Sequence, residues 1–147
     1  YDSCLYDRVT PDMIDVYSDE DGSKVTDMTA YPANGEPEQR ELYQTQPDGT
    51  ADLNTFYLGE PCEKLVIRTN LNNQKKLLLF KDDYADCMVP FLLQHYSELC
   101  ILDVTQMEHD LSELADVSDY TQVLILCDAD TFADTKTASA FREGKNT

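Results

Sequence analysis

The chain has 147 residues, 41% hydrophobic and 27% charged, which is enough to bury the core of one domain. Its 29 acidic and 11 basic residues leave a net charge of −18 with no cluster of five or more Lys or Arg. A nucleic-acid ligand is therefore excluded, an anionic membrane surface is disfavoured, and no stretch approaches the ~18 apolar residues of a membrane span.

The first residue is Tyr1, not methionine, which implies that a segment upstream has been removed. Five cysteines, Cys4, Cys62, Cys87, Cys100 and Cys127, show no CxxC spacing, so neither a zinc site nor a disulfide framework is indicated. Residues 1–60 read as a β-rich segment of short strands and loops. "MIDVYS" (13–18) alternates, "DEDG" (19–22) is turn chemistry, and "SKVTDMTAY" (23–31) is placed to return as a hairpin partner. "PANGEPEQ" (32–39) and "QPDGTADLN" (46–54) are loops. The many tyrosines of this part supply amphipathic bulk, with sugar stacking as an alternative use.

Residues 61–147 read differently. "KLVIRTN" (64–70), "KKLLLFK" (75–81), "ELCILDV" (98–104) and "QVLILCD" (122–128) are continuous apolar runs of strand length. Such runs indicate strands covered on both faces, as in a parallel sheet. Helical patterns fall between them at 84–96 and 110–117, giving a βαβαβ core with right-handed crossovers. The expected fold class is α/β, with both segments in one compact domain.

In a parallel sheet, chemistry gathers at the carboxyl ends of the strands. Those ends here are Asp82 and Asp83, Asp103, and Asp128 with Asp130. Carboxylates brought that close either raise one another's pKa or hold a cation, so Asp82, Asp83 and Asp128 are candidate ligands for Ca²⁺ or Mg²⁺. The bland alternative is capping: Asp83 directly precedes a helical pattern, with Asp86 three residues on as a box-like partner. Capping is preferred, and no cofactor is expected. The "CDADT" at 127–131 fits the start of haloacid-dehalogenase-type phosphatases, but too little chain follows it.

The stretch "KKLLLFKDDYADCMVPFLLQHYSELCILDV" resembles a segment of the DHHW family, bacterial proteins that look like SGNH hydrolases and are related to alginate-type O-acetyltransferases. The family pattern is an apolar strand, KDSYAN, a helix with PFL, then HY and a strand ending in DxR. Lys81, Asp82, Tyr84, Ala85, Pro90, Phe91, Leu92, His95, Tyr96 and Asp103 stand at matching positions. The flanking "NTFYLGEPCEKLVIRTN" and "VSDYTQVLILCDADTFADT" extend the likeness over most of the chain, and 13–31 suits the family's β insert. The resemblance implies a partial SGNH or flavodoxin-like three-layer sheet in a secreted or surface protein of bacteria, with a carbohydrate or other cell-envelope component as ligand.

The departures concern the chemistry. Asp83 stands where the family has its serine nucleophile, Gly59-Glu60-Pro61 replaces the Gly-Asn pair, and Thr105 replaces the arginine of DxR. The Asp-His signature that activates the serine lies before the β insert in the family and is absent from this sequence. His95 and His109 are the two histidines present, and each is expected to be structural or solvated. Acyl transfer needs nucleophile, base and oxyanion donor within mutual reach. A non-catalytic domain is therefore expected. The alternatives are an esterase or O-acetyltransferase completed by an upstream segment or partner chain, and a cation-stabilised interaction module.

Overall fold

The computed structural model describes residues 24–44 and 55–134. The apolar runs become the centre of one six-stranded sheet: β1 (Val25–Tyr31), β2 (Glu38–Gln39), β3 (Lys64–Thr69), β4 (Lys76–Lys81), β5 (Glu98–Asp103) and β6 (Gln122–Leu126). Their spatial order is β2-β1-β3-β5-β4-β6. Strands β5, β4 and β6 are parallel, whereas β3 runs antiparallel to both β5 and β1. The class is α/β, as expected from the sequence.

The direction of β3 differs from the all-parallel expectation, and the reason is the length of the link. Only residues 70–75 separate β3 from β4, whereas a parallel crossover needs a dozen or more residues. This link is clasped to the start of β5. The Thr69 N–H donates to the Ser97 carbonyl, the Ser97 N–H to that of Lys75, and the Thr69 hydroxyl to that of Tyr96. Continuous apolar character thus reports burial on both faces and leaves direction open.

Alternate residues feed two cores. On one face Ile67, Leu77, Leu79, Leu99 and Ile101 pack with Met28, Leu42, Leu58, Val89 and Leu93. On the other, Val66, Leu78, Phe80, Cys100 and Leu102 pack with Val104, Met107 and Leu114. The layers above and below the sheet are the expected three-layer arrangement, built from shorter helices than the sequence suggests. The pattern at 84–96 becomes a 3-10 helix (Asp83–Met88) running into α1 (Val89–Leu92), where Pro90 is tolerated in the first turn. The pattern at 110–117 becomes α2 (Leu111–Leu114) and a second 3-10 turn (Val117–Asp119). Asp116 shortens that helix, because its carboxylate accepts the Ser118 N–H and hydroxyl instead of leaving the backbone to continue. A last helix, α3 (Ala129–Ala133), follows β6.

Residues 23–31 supply β1 as anticipated, but its described partners are β2 and β3; the expected hairpin mate at 13–18 lies outside the described residues. Tyr43 and Tyr57 bridge to each other and pack with Phe56, with ring centroids 4.9–6.0 Å apart. Among the described residues no helix is long and apolar enough to cross a membrane.

Candidate functional site at the strand ends

Because β4, β5 and β6 are parallel, Asp82 and Asp83, Asp103, and Asp128 with Asp130 do fall at one edge of the sheet. Each carboxylate with described contacts there has a local partner. Asp82 is buried with an extended backbone (φ −117°, ψ −175°), and its Oδ1 accepts the Tyr84 N–H at 3.1 Å. The cap of the 3-10 helix is therefore Asp82, not Asp83 as the sequence suggested. The other oxygen, Oδ2, accepts the Asp128 N–H at 2.6 Å and so ties the end of β4 to the start of α3. Asp128 in turn caps α3, accepting the Thr131 N–H at 2.7 Å and its hydroxyl at 3.1 Å. Asp83 is the exposed first residue of the 3-10 helix.

Asp86 makes no capping box either. It turns to Lys81, whose side chain is only 7% exposed and lies opposite Asp103 in the parallel register. Lys81 Nζ is 2.7 Å from Asp86 Oδ1 and 3.0 Å from Asp103 Oδ2. The Asp103 contact is a hydrogen bond; the Asp86 contact is an ion pair by distance whose angle leaves Oδ1 without a hydrogen bond. Asp103 is closed off on its far side, where Oδ1 accepts the Thr105 N–H at 2.9 Å and hydroxyl at 2.6 Å. Thr105 thus supplies two of the three hydrogen bonds that Asp103 accepts.

The electrostatics follow from this burial. Burial pushes the Lys81 ammonium down, but the charges of Asp103 and Asp86 outweigh it and hold its pKa above the ordinary value. For Asp86 the balance is reversed. Burial raises the carboxyl more than Lys81 lowers it, and Asp103 and Asp83 add to the rise, to about 6. Among the described residues, no group of three or more His, Cys, Asp or Glu is gathered so as to hold a metal ion. The candidate cation site of Asp82, Asp83 and Asp128 draws no support from this geometry: Asp82 and Asp128 already accept backbone N–H groups, and the local positive charge is Lys81.

Beside the triad opens a small cleft of about 270 Å³, counting its open mouth, lined by Gly59, Glu60, Pro61, Cys62, Lys81 and Asp86 among others. Its rim is strained, since Leu58 and Gly59 both have left-handed backbones (φ 67° and 80°), a costly state for leucine. Arg40 Nη1 donates to the Glu60 carbonyl at 2.5 Å and pins this rim. The Cys62 thiol lies in the cleft wall, where burial pushes its pKa up, so it stays protonated.

Of the histidines, His95 precedes β5, so the length of that six-residue strand, ~20 Å, separates it from the acidic edge. His109 has a partner that the sequence pattern did not reveal. Glu63, buried just ahead of β3, accepts the N–H groups of Glu108 and His109 at 2.7 Å each, and faces His109 Nδ1 at 2.9 Å. Burial pushes the Glu63 carboxyl up, but these three contacts outweigh it and leave it below the ordinary range. The same pairing raises His109. The antiparallel turn of β3, which no periodicity encodes, brings Glu63 to this edge.

No family model matches the chain, and no curated protein does either. Solved structures do match. PatB1 of Bacillus cereus superposes with a TM-score of 0.66 at 24% identity over 83% of this chain and 41% of that one. PatB1 with a sulfonyl adduct gives the same score and identity over 82% and 43%. A DHHW family protein from Eubacterium siraeum gives 0.61 at 19% over 82% and 41%. At these identities the likeness establishes a shared fold, and it agrees with the resemblance carried by the 75–104 segment. The chain spans about two-fifths of the length of the solved proteins it matches.

Three outcomes follow from this geometry. Lys81→Met leaves Asp103 buried without its cation and is expected to cost about 3–5 kcal/mol in urea unfolding; a loss under about 1 kcal/mol would show the triad to be incidental. For Asp86, a carboxyl raised from 3.8 to about 6 binds a proton in the folded state that the unfolded state has released. Its contribution to stability therefore falls as pH rises across that window. Melting curves of Asp86→Asn should gain on the parent between pH 4 and pH 7, and a constant difference would contradict the assignment. Glu63 contributes stability above its ordinary 4.5 that is lost as pH falls through its lowered value, while the raised His109 contributes fully below 6.5 and fades as pH rises through its higher value. The clasp is thus strongest between those limits. Glu63→Gln should bring the His109 pKa, read by NMR, back toward 6.5; an unchanged titration would refute the pairing.

Proposed function

We propose that the chain is a degenerate SGNH-like domain of the DHHW type, from a bacterial surface or secreted protein, which holds a cell-envelope or carbohydrate component without turning it over. The observation that carries this reading is the strand end itself. Asp83, at the position of the family serine, is an exposed carboxylate, and its neighbours Asp82, Lys81 and Asp103 are committed to each other and to the backbone. The imidazole of His109 is engaged by Glu63, and His95 lies at the opposite edge. Among the described residues neither imidazole hydrogen-bonds Asp83, which supports a reading without acyl transfer at that position.

The binding part of the reading is supported by the segment that follows Asp83. Tyr84 is 79% and Phe91 64% exposed, with the exposed Met88 between them, along the 3-10 helix and α1. Tyr43 and Tyr57, in contrast, are packed against the core, so Tyr84 is the described tyrosine best placed to stack on a sugar ring.

A second reading is favoured by coverage. The solved proteins the chain matches are about twice as long, and one carries a sulfonyl adduct. On that reading the chain is part of an esterase or O-acetyltransferase of surface polysaccharide whose Asp-His segment lies upstream of residue 1. Assay of aryl acetates with this chain tests the first reading. The non-catalytic reading expects no hydrolysis above the buffer rate, with Asp83→Ala indistinguishable from the parent. Turnover that Asp83→Ala removes would overturn it. Tyr84→Ala is expected to weaken retention on isolated cell-envelope polysaccharide about tenfold, and unaltered retention would remove the stacking role.

A further inference from the structure

The link between β1 and β2, residues 32–37, reads PANGEP. Asn-Gly suits a tight connection, because both residues tolerate turn conformations. It is also the pair in which the following backbone nitrogen most easily reaches the asparagine amide, since glycine has no Cβ to obstruct the approach. Of the six asparagines in the chain, Asn34 alone precedes a glycine. That glycine is held in place by packing: a Cβ at position 35 would stand 3.0 Å from Pro32 Cγ, in a ring with little freedom to yield. The turn therefore keeps the labile pair. Asn34 also reaches far along the chain. Its Nδ2 donates to Glu108 Oε2 at 3.0 Å, and the Glu108 N–H is one of the two that buried Glu63 accepts at 2.7 Å.

We propose that Asn34–Gly35 is a site of spontaneous deamidation, and that the carboxylate formed there loosens the loop that Glu63 holds. In this step the Gly35 nitrogen attacks Asn34 Cγ. The N–Cγ bond forms, the Cγ–Nδ2 bond breaks, and the Gly35 proton leaves with Nδ2 as ammonia. Water then opens the succinimide at either carbonyl and leaves aspartate or isoaspartate. No oxidant, reductant or cofactor is needed. The product has lost the donor that met Glu108 and has gained a negative charge in its place. Two carboxylates at hydrogen-bond distance repel, and Glu36 stands two residues further along the same link. The repulsion falls on Glu108, whose N–H shares the Glu63 carboxylate with that of His109. Because ammonia is lost, the change runs one way. This inference rests on the turn and its bond to Glu108 and is independent of the function proposed above.

The experiment incubates the 147-residue chain at mildly alkaline pH until an isolated peptide of residues 31–39 has converted. Peptide mapping by mass spectrometry should then find aspartate and isoaspartate at position 34, ahead of every other asparagine, with ammonia released in equal amount. Asp21 and Asp48 also precede glycines, but their isomerisation releases no ammonia and is not counted. Gly35→Ala should keep its amide over the same time. The consequence is read by amide hydrogen exchange. In Asn34→Asp the Glu108 and His109 N–H groups should exchange about fivefold faster than in the parent, with β4 and β5 unchanged as the check on folding. Asn34→Ala, which loses the bond without adding charge, should fall between the two. The site is refuted if position 34 keeps its amide while the peptide converts, or if Gly35→Ala converts as fast as the parent. The loosening is refuted if Asn34→Asp exchanges like the parent or no faster than Asn34→Ala.

Discussion

The constraint on which the acidic edge depends is one buried cation. Lys81 ends the central parallel strand with its ammonium out of water between Asp103, at the end of β5, and Asp86, in the 3-10 helix. A buried charge of either sign is costly alone, so the three side chains fix one another's places. From that point the neighbouring backbone is determined. The Val104 N–H donates to the Lys81 carbonyl, Thr105 folds back on Asp103, and Asp82 reaches across to the Asp128 N–H. An edge that looks like an accumulation of repelling carboxylates is a set of backbone caps around one lysine.

This arrangement bears directly on what the edge can do. A nucleophile or a metal ligand needs free lone pairs, and a carboxylate that already accepts two or three hydrogen bonds has few to offer. Asp103 and Asp82 are in that condition. Asp86 differs: it is half-buried beside the cleft, its Oδ1 lies 2.7 Å from the Lys81 ammonium, and burial raises its carboxyl to about 6. With Lys81 it lines the cleft whose wall includes Gly59, Glu60 and Pro61.

Much of this was legible in the sequence because strand-length apolar runs encode two-sided burial, and Asp at a run's end encodes a cap. The α/β class, four of the strands and the gathering of Asp82, Asp83, Asp103 and Asp128 at one edge follow from those two signals. Three features were not legible. The antiparallel course of β3 depends on link length more than on periodicity. The capping role fell to Asp82 because the helix begins at Asp83, one residue before the pattern at 84–96, and Asp82 is also held by the Asp128 N–H from beyond another strand. The Glu63–His109 clasp joins residues 46 apart, brought together by that same β3 direction. Each miss is a long-range contact overriding a local preference.

The pattern of match and departure against the DHHW-type segment now has a physical sorting. The matching residues Lys81, Asp82 and Asp103 are all buried, and each has a structural partner that its loss would leave unsatisfied. The departures at Asp83 and Glu60 lie at the exposed surface, and at Thr105 a short hydroxyl replaces a long cation by hydrogen bonding Asp103 directly. An aspartate at position 83 is also locally easy to accommodate, since it sits in the first turn of a 3-10 helix, where the backbone dipoles favour a negative side chain. What this segment shares with the family pattern is thus the set of residues that hold the strand end in shape. The likeness to the family in this segment is a likeness of architecture.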